Sequence, residues 1–454
     1  MSGTDTPGAV VVGASLAGLH GAEALRRNGY GGRITIVGDE PHRPYDRPPL
    51  SKHVLSGELA ADATELPQRA GLDAEWRLGQ AVTGLDRRAR TISLANGAVL
   101  AYDKLLVTTG ARARPWPVES GGTLGDIFTL RGRDDAARLR AALVAGPSRI
   151  LIVGAGLIGC EAASCCRSLG LPVTLIDPNP TPLARSLGTW VGGVIAECLK
   201  DAGVTYRPNA QVLRFEGDAT GRVVRAHLSD EHVVEADLVI VALGAVRETG
   251  WLKAAGLMAD ASGLTCDGAC RALDVDGVPC PDIYAAGDVA RWPISLYGDR
   301  LISVEHWGNA VAQGGHAARN MLAPADDQRP YDHLPAFWSS QFGINIKAVG
   351  LSEGADTVAI VHGSRASRRF LAVYGREGRS ISAVSFDQAR WLPAYAEAIR
   401  AGGAFPPIRD ASDQDRIVSG LPGFPPPRQA SGSQVTGSHV SGSHVSCSDE
   451  ARHA

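Results

Sequence analysis

The sequence predicts an α/β fold: two parallel-sheet nucleotide-binding domains and a smaller α+β domain at the C-terminal side. Three observations predict it. A glycine fingerprint stands between an apolar strand and a helical pattern at two places, Ala9–Gly18 and Leu151–Glu161. Each half then closes on a similar segment, Tyr102–Gly110 and Ala236–Gly244, which reads as acid, apolar strand, small residues, glycine. Beyond Pro330 the texture changes to alternating, strand-like sequence.

The second fingerprint is the more complete. Gly154-x-Gly156-x-x-Gly159 follows the apolar run Leu151–Val153. The first glycine permits the tight turn, the second lets the backbone approach a pyrophosphate, and the third lets helix and strand pack closely. The helix N-terminus faces the phosphate charge. Asp177 ends the next strand about 20 residues on, where a carboxylate accepts from adenosine ribose hydroxyls. A 2′-phosphate there would meet that carboxylate at a cost of up to roughly 4 kcal/mol at ~4 Å and an effective dielectric of 20. No arginine follows directly in Pro178-Asn179-Pro180, which selects NADH over NADPH.

In the first fingerprint, Gly13-Ala14-Ser15-Leu16-Ala17-Gly18 follows Ala9–Val12, with Ser15 in place of the middle glycine. The helix runs to about Asn28, the next strand spans Arg33–Val37, and Gly38-Asp39-Glu40 puts acid at its tip. Two dinucleotides are therefore expected. Strand-rich patches follow each fingerprint, Ala81–Leu100 with an Asn96-Gly97 turn and Gln211–Val234, so the halves repeat each other as Rossmann-like, glutathione-reductase-type domains.

A length of 454 residues suggests about three domains. The expected division is a discontinuous first dinucleotide-binding domain at 1–114 and 249–327, a second, NADH-binding domain at 115–248, and a C-terminal domain at 328–407. Ile283–Val289 presents Asp288 after a glycine turn at the expected start of a helix, where a carboxylate suits a polyol chain. A helix near Pro393–Ala401 should close the third domain. From about Ile408, proline, glycine and serine dominate, and the tail 408–454 is expected to be mostly disordered.

A net charge of −3 gives no pull toward nucleic acid or anionic membrane. No apolar run approaches the ~20 residues of a bilayer span. The eight cysteines lack disulfide-framework spacing, which points to a reducing cytoplasm. Cys165 and Cys166 should pack on a helix, and the irregular spacing of Cys266, Cys270 and Cys280 argues for a plain buried or surface role over a metal site.

The fingerprints, Arg43-Pro44-Tyr45-Asp46-Arg47-Pro48-Pro49-Leu50-Ser51-Lys52, Ala286-Gly287-Asp288, Val304-Glu305-His306-Trp307 and Phe337-Trp338-Ser339 together carry a resemblance. The chain resembles the NADH-dependent, FAD-containing ferredoxin reductases of oxygenase systems, with apoptosis-inducing factor a distant relative. The resemblance covers roughly residues 8 to 390, and the Arg-Pro-Pro-Leu-Ser-Lys segment discriminates best. It implies FAD on Gly13, Ser15, Ala17 and Gly18, with Asp39 on the adenosine ribose and Val82 at the adenine. Arg47 and Lys52 would face the pyrophosphate and flavin, and Arg131 would approach FAD. Asp288 would take the ribityl chain, and Gly110, Glu305 and His306 would border the flavin with Trp307 and Trp338. Lys52 and Glu161 would pair beside the nicotinamide. Two departures stand out: Ser15, and Phe386–Arg390 where relatives usually carry an Asn-Arg-Pro-like segment.

The implied chemistry is hydride transfer from NADH to FAD, with electrons leaving singly to a small iron–sulfur ferredoxin of 2Fe-2S type. That partner would supply a haem-thiolate monooxygenase or a Rieske oxygenase. No cysteine precedes Cys160, which argues against thiol chemistry at the flavin. An acidic ferredoxin calls for a basic face, and Arg365, Arg368, Arg369, Arg376 and Arg379, relieved only by Glu377, form one candidate against the commoner solvated hairpin. Two other readings stay open: a stand-alone NADH oxidase or diaphorase, and a flavoprotein whose NADH-reduced state regulates partner binding.

Overall fold

Strand Gly8–Val12 is buried along its whole length and sits between Ile34–Val37 and Val99–Val107, parallel to both. Continuous apolar runs of this kind suit a parallel sheet covered on both faces. The structure, a computed structural model, describes residues 7–407; the tail 408–454 lies outside the described residues. Glu75–Arg77 extends the sheet on one side, and Pro279–Ala285 returns from far along the chain to pair parallel with Val99–Val107. Helices Leu16–Arg27 and Trp307–Leu322 pack on each other beside this sheet. Small residues permit the approach: a Cβ on Gly314 would lie 2.4 Å from the Ala17 carbonyl oxygen.

The second sheet is all parallel, in the spatial order Thr205–Pro208, Val173–Asp177, Ile150–Val153, Leu238–Val241, Ile127–Thr129. The chain crosses between the two sheets through Arg112–Ala113 and Ala245–Val246, which pair antiparallel. Each fingerprint thus heads a central strand, as the internal repeat requires.

Five antiparallel strands between Ala336 and Phe386, closed by helix Leu392–Arg400, make the C-terminal unit. Its sheet shares an apolar core with the second nucleotide-binding unit. Phe370 and Phe386 stack at 4.5 Å, and Trp190 meets Phe370 edge-on.

One expected element differs. Asp288 does not begin a regular helix; Gly287–Val289 forms a short 3-10 turn that leads into strand Ala290–Ile294. Gly287 turns the chain at φ +77°, and the alternation after it buries Trp292 against the core, which is strand periodicity.

Candidate functional site

The C-terminal ends of the first sheet open into a cleft of about 1060 Å³, just above the ~300–1,000 Å³ usual for ligand sites. Gly13, Ser15, Ala17, Asp39, Arg47, Lys52, Val82, Gly110, Arg131, Asp288, Glu305, His306, Trp307 and Trp338 all line it, as does Glu161 from the second unit. Gly13 has φ +119°, and a Cβ there would come within 2.1 Å of the Thr108 carbonyl oxygen. Gly18 does not line the cleft; a Cβ on it would lie 2.0 Å from the Gly13 carbonyl oxygen, so it acts by letting the helix close on the turn. Ser15 precedes the helix in extended conformation, and its hydroxyl makes no capping bond. The hydroxyl and the helix N-terminus are both available to an anion.

Charged groups brace the cleft in a chain. Arg47 pairs with Glu40 at 2.7 Å and donates to the Arg131 carbonyl at 3.0 Å. Arg131 pairs with Asp288 at 2.6 Å. Burial works against the Glu40 charge, but Arg47 and the Tyr45 hydroxyl hold its carboxyl below the usual range. Arg247 donates to the Asp288 carbonyl and to Glu305, both at 2.5 Å. Glu40 and Arg247 were not singled out from the sequence. Glu40 adjoins Asp39 in the same acidic tip, so it was legible there; Arg247 carried no signal.

Lys52 and Glu161 do meet, Nζ to Oε2, at 2.7 Å. Glu161 is almost wholly buried, on helix Leu157–Ser168. It also accepts from the Ser51 hydroxyl at 2.5 Å and from Ser339 of the C-terminal sheet at 2.6 Å. Two separate parts of the chain therefore converge on a carboxylate carried by a third. Trp307 and Trp338 face each other edge-on at 5.7 Å, both partly exposed, and Trp307 Nε1 donates to Asp46. Burial lowers the His306 imidazole to about 4, so it stays neutral near pH 7.

The second fingerprint is built to the same plan but oriented differently. Gly154 has φ +102°, and a Cβ on Gly159 would lie 1.9 Å from the Gly154 carbonyl oxygen. Nothing lies within 4 Å of a Cβ on Gly156, so this turn faces open space. Neither these glycines nor Asp177 line the main cleft. Asp177 stands at the strand tip as expected, but its carboxylate is already engaged. Oδ2 accepts from the Ala155 amide at 2.6 Å, and Oδ1 accepts from the Asn179 backbone and side-chain nitrogens at 2.7 Å.

The seven cysteines among the described residues are free and buried, and burial pushes Cys165 and Cys166 up to about 11 and about 12. Among the described residues no three His, Cys, Asp or Glu side chains are grouped to hold a metal. The basic hairpin is less basic than the sequence suggests: Arg365 pairs with Glu197 at 2.7 Å and Arg368 with Asp201 at 2.5 Å. These acids lie on helix Ala184–Asp201, more than 160 residues away, so Glu377 is not the sole counter-charge. No helix of the described residues is long and apolar enough to cross a membrane.

The cleft suits a flavin dinucleotide in chemistry and size. Thr109 Oγ1 and His306 Nδ1 are buried on its wall without hydrogen-bond partners, and such atoms normally find one. Gly110 has φ +65° and open space where a Cβ would stand, so the backbone there can lie against a ligand.

Comparison with known proteins gives the family. Residues 8–314 match the family model described as pyridine nucleotide-disulphide oxidoreductase, and residues 336–417 match that described as reductase C-terminal. The biphenyl dioxygenase system ferredoxin–NAD(+) reductase component of Paraburkholderia xenovorans is 39% identical over 77% of this chain and 82% of its own length. Putidaredoxin reductase of Pseudomonas putida is 34% identical over 84% of this chain and 90% of its own. The crystal structure of the covalent putidaredoxin reductase–putidaredoxin complex superposes with a TM-score of 0.81 at 32% identity, covering 88% of this chain and 94% of that one. The chain belongs to the pyridine nucleotide-disulphide oxidoreductase family and, within it, is an oxidoreductase of the ferredoxin reductase kind.

Proposed function

We propose that the chain takes hydride from NADH onto FAD held in the main cleft and passes the electrons one at a time to a 2Fe-2S ferredoxin serving an oxygenase. The observation that carries this reading is the convergence of the Lys52–Glu161 pair and the Trp307–Trp338 pair in one cleft that the first fingerprint also lines. FAD bound there supplies a hydride acceptor that can release electrons singly.

The residues of this chain do the rest. Gly13, Ser15 and Ala17 would seat the pyrophosphate at the helix N-terminus, with Gly18 closing the turn, Asp39 toward the ribose and Val82 at the adenine side. Arg47 and Arg131 would offset the phosphate charge, and Asp288 would accept from polyol hydroxyls. Trp307, Trp338 and His306 would border the ring, and the Lys52 ammonium would favour negative charge arriving there. NADH would lie over Gly156 at the second fingerprint, with its reacting end toward Glu161. Asp177 supports that site by fixing the Ala155 turn.

The described thiols would take no part, since each described cysteine is buried and none lines the cleft. The relatives, a reductase component of a dioxygenase system and a reductase joined to putidaredoxin, support ferredoxin as the electron acceptor. The test is direct. Purified protein should be yellow, NADH should bleach it without air, and cytochrome c reduction should depend on added ferredoxin. Cytochrome c or oxygen reduction at full rate without ferredoxin would instead favour a diaphorase or oxidase.

A further inference from the structure

Glu161 is the group with the most unusual surroundings, and the proposed function uses only one of its partners. Its two oxygens are divided. Oε2 takes the Lys52 ammonium at 2.7 Å and the Ser51 hydroxyl at 2.5 Å, while Oε1 takes the Ser339 hydroxyl at 2.6 Å. Ser339 itself accepts from the Gln341 side-chain amide at 3.1 Å. A hydroxyl has one proton, so accepting from Gln341 leaves that proton directed at Glu161. Ser339 and Gln341 are both buried, on neighbouring inward positions of strand Ala336–Gln341. The strand is fastened to the same helix at a second point, where the Phe342 amide donates to Ser164 Oγ at 2.7 Å.

We propose that Ser339, oriented by Gln341, is a positioning residue: it occupies one oxygen of Glu161 so that the Lys52 ammonium stays at the cleft wall, and the C-terminal domain thereby sets the charge next to the flavin. The physical reason is competition for donors. A buried carboxylate oxygen deprived of its hydrogen bond is costly and takes whatever donor is within reach. Lys52 is one such donor: its ammonium is already 2.7 Å from the other oxygen, and its side chain keeps some exposure at the cleft. Drawn across both oxygens, the ammonium withdraws from the wall. Less positive potential then opposes reduction, which adds negative charge at the flavin.

This inference rests on FAD occupying the cleft as proposed above. The test is the midpoint potential of the bound flavin in Ser339→Ala and Ser339→Thr, read spectroscopically against a reference dye. Ser339→Ala should make reduction about tenfold less favourable, a fall of about 30 mV for a two-electron couple. Flavin reduction at saturating NADH should slow while the KM for NADH is unchanged. Ser339→Thr keeps the hydroxyl and should hold the wild-type potential. If Ser339→Ala does not fold, Gln341→Met removes the orienting amide and should shift the potential the same way by a smaller amount. An unchanged or raised potential in a yellow alanine variant, or an equal fall in the threonine variant, overturns the proposal. A colourless wild-type protein would instead overturn the cofactor reading, so the two failures are distinguishable.

Discussion

The two fingerprint halves share a plan and differ in what surrounds them. The first turn opens into a cleft roofed by residues from the second unit and the C-terminal sheet, including Glu161, Phe337 and Trp338. The second turn faces open space at Gly156 and lies outside that cleft. Their acids differ in the same sense. Asp39 is exposed at the mouth, with one local bond from the Glu40 amide, whereas Asp177 is buried and committed to its own turn. On the function proposed above, the enclosed motif would keep its ligand and the open one would exchange it. The difference comes from later chain folding over the first site, since the motifs themselves are nearly alike.

The strongest way to break this comparison is to block each turn in turn. Gly18→Val and Gly159→Val both drive a side chain into a backbone oxygen, at 2.0 and 1.9 Å for the Cβ alone. Backbone cannot yield as a flexible side chain does, so each should cost about 3 kcal/mol or more locally. Gly18→Val should yield colourless protein. Gly159→Val should stay yellow and lose bleaching by NADH, and an absorbance spectrum before and after NADH addition separates them. If Gly159→Val also loses its colour, the halves are not independent sites.

Next in size is the pair that joins the halves. Lys52→Met strips Glu161 of its ionic partner among the described residues while Ser51 and Ser339 remain. The stability loss should be about 2–3 kcal/mol, on the low side of the ~3–5 kcal/mol for breaking a buried pair. Stopped-flow reduction by NADH should slow by about tenfold or more. An unchanged rate would confine the pair to a structural role.

The two acids sharpen the contrast further. Asp177→Ala removes the partner of the Ala155 amide and of Asn179, and should lower stability by about 2 kcal/mol. Asp39→Ala should stay within about 0.5 kcal/mol. Thermal melts of the two variants without added nucleotide test this. A Tm loss for Asp39→Ala equal to that for Asp177→Ala would erase the distinction.

Much of this arrangement was legible because it is local. The strands Gly8–Val12 and Ile150–Val153 and their helices follow from apolar runs, glycine spacing and helical periodicity within 20 residues. Other features depend on contacts across the chain that no local pattern encodes. Ser339 reaches Glu161 across 178 positions, and Ser51 across 110. The spacing places Asp177 at a strand tip but cannot reveal that its oxygens turn inward to Ala155. At Asp288 the glycine turn was readable, but not the strand that follows, because it is set by pairing with Leu264, 26 positions back, as well as with Ile302 across the next hairpin.

The smallest expected effect concerns the basic hairpin, where the same long-range logic applies. Arg365 and Arg368 spend their charge on Glu197 and Asp201, and Arg365 also lies 5.4 Å over the Trp190 ring. Exposed pairs of this kind contribute about 0.2–1 kcal/mol each. They fasten the C-terminal domain to the second nucleotide-binding unit and present little net charge to an acidic partner. Replacing both arginines with alanine should therefore lower the Tm by a few degrees and leave the salt dependence of ferredoxin reduction nearly unchanged. A clear loss of salt dependence in that double variant would return this hairpin to the docking face, and with it the basic surface that composition alone suggested.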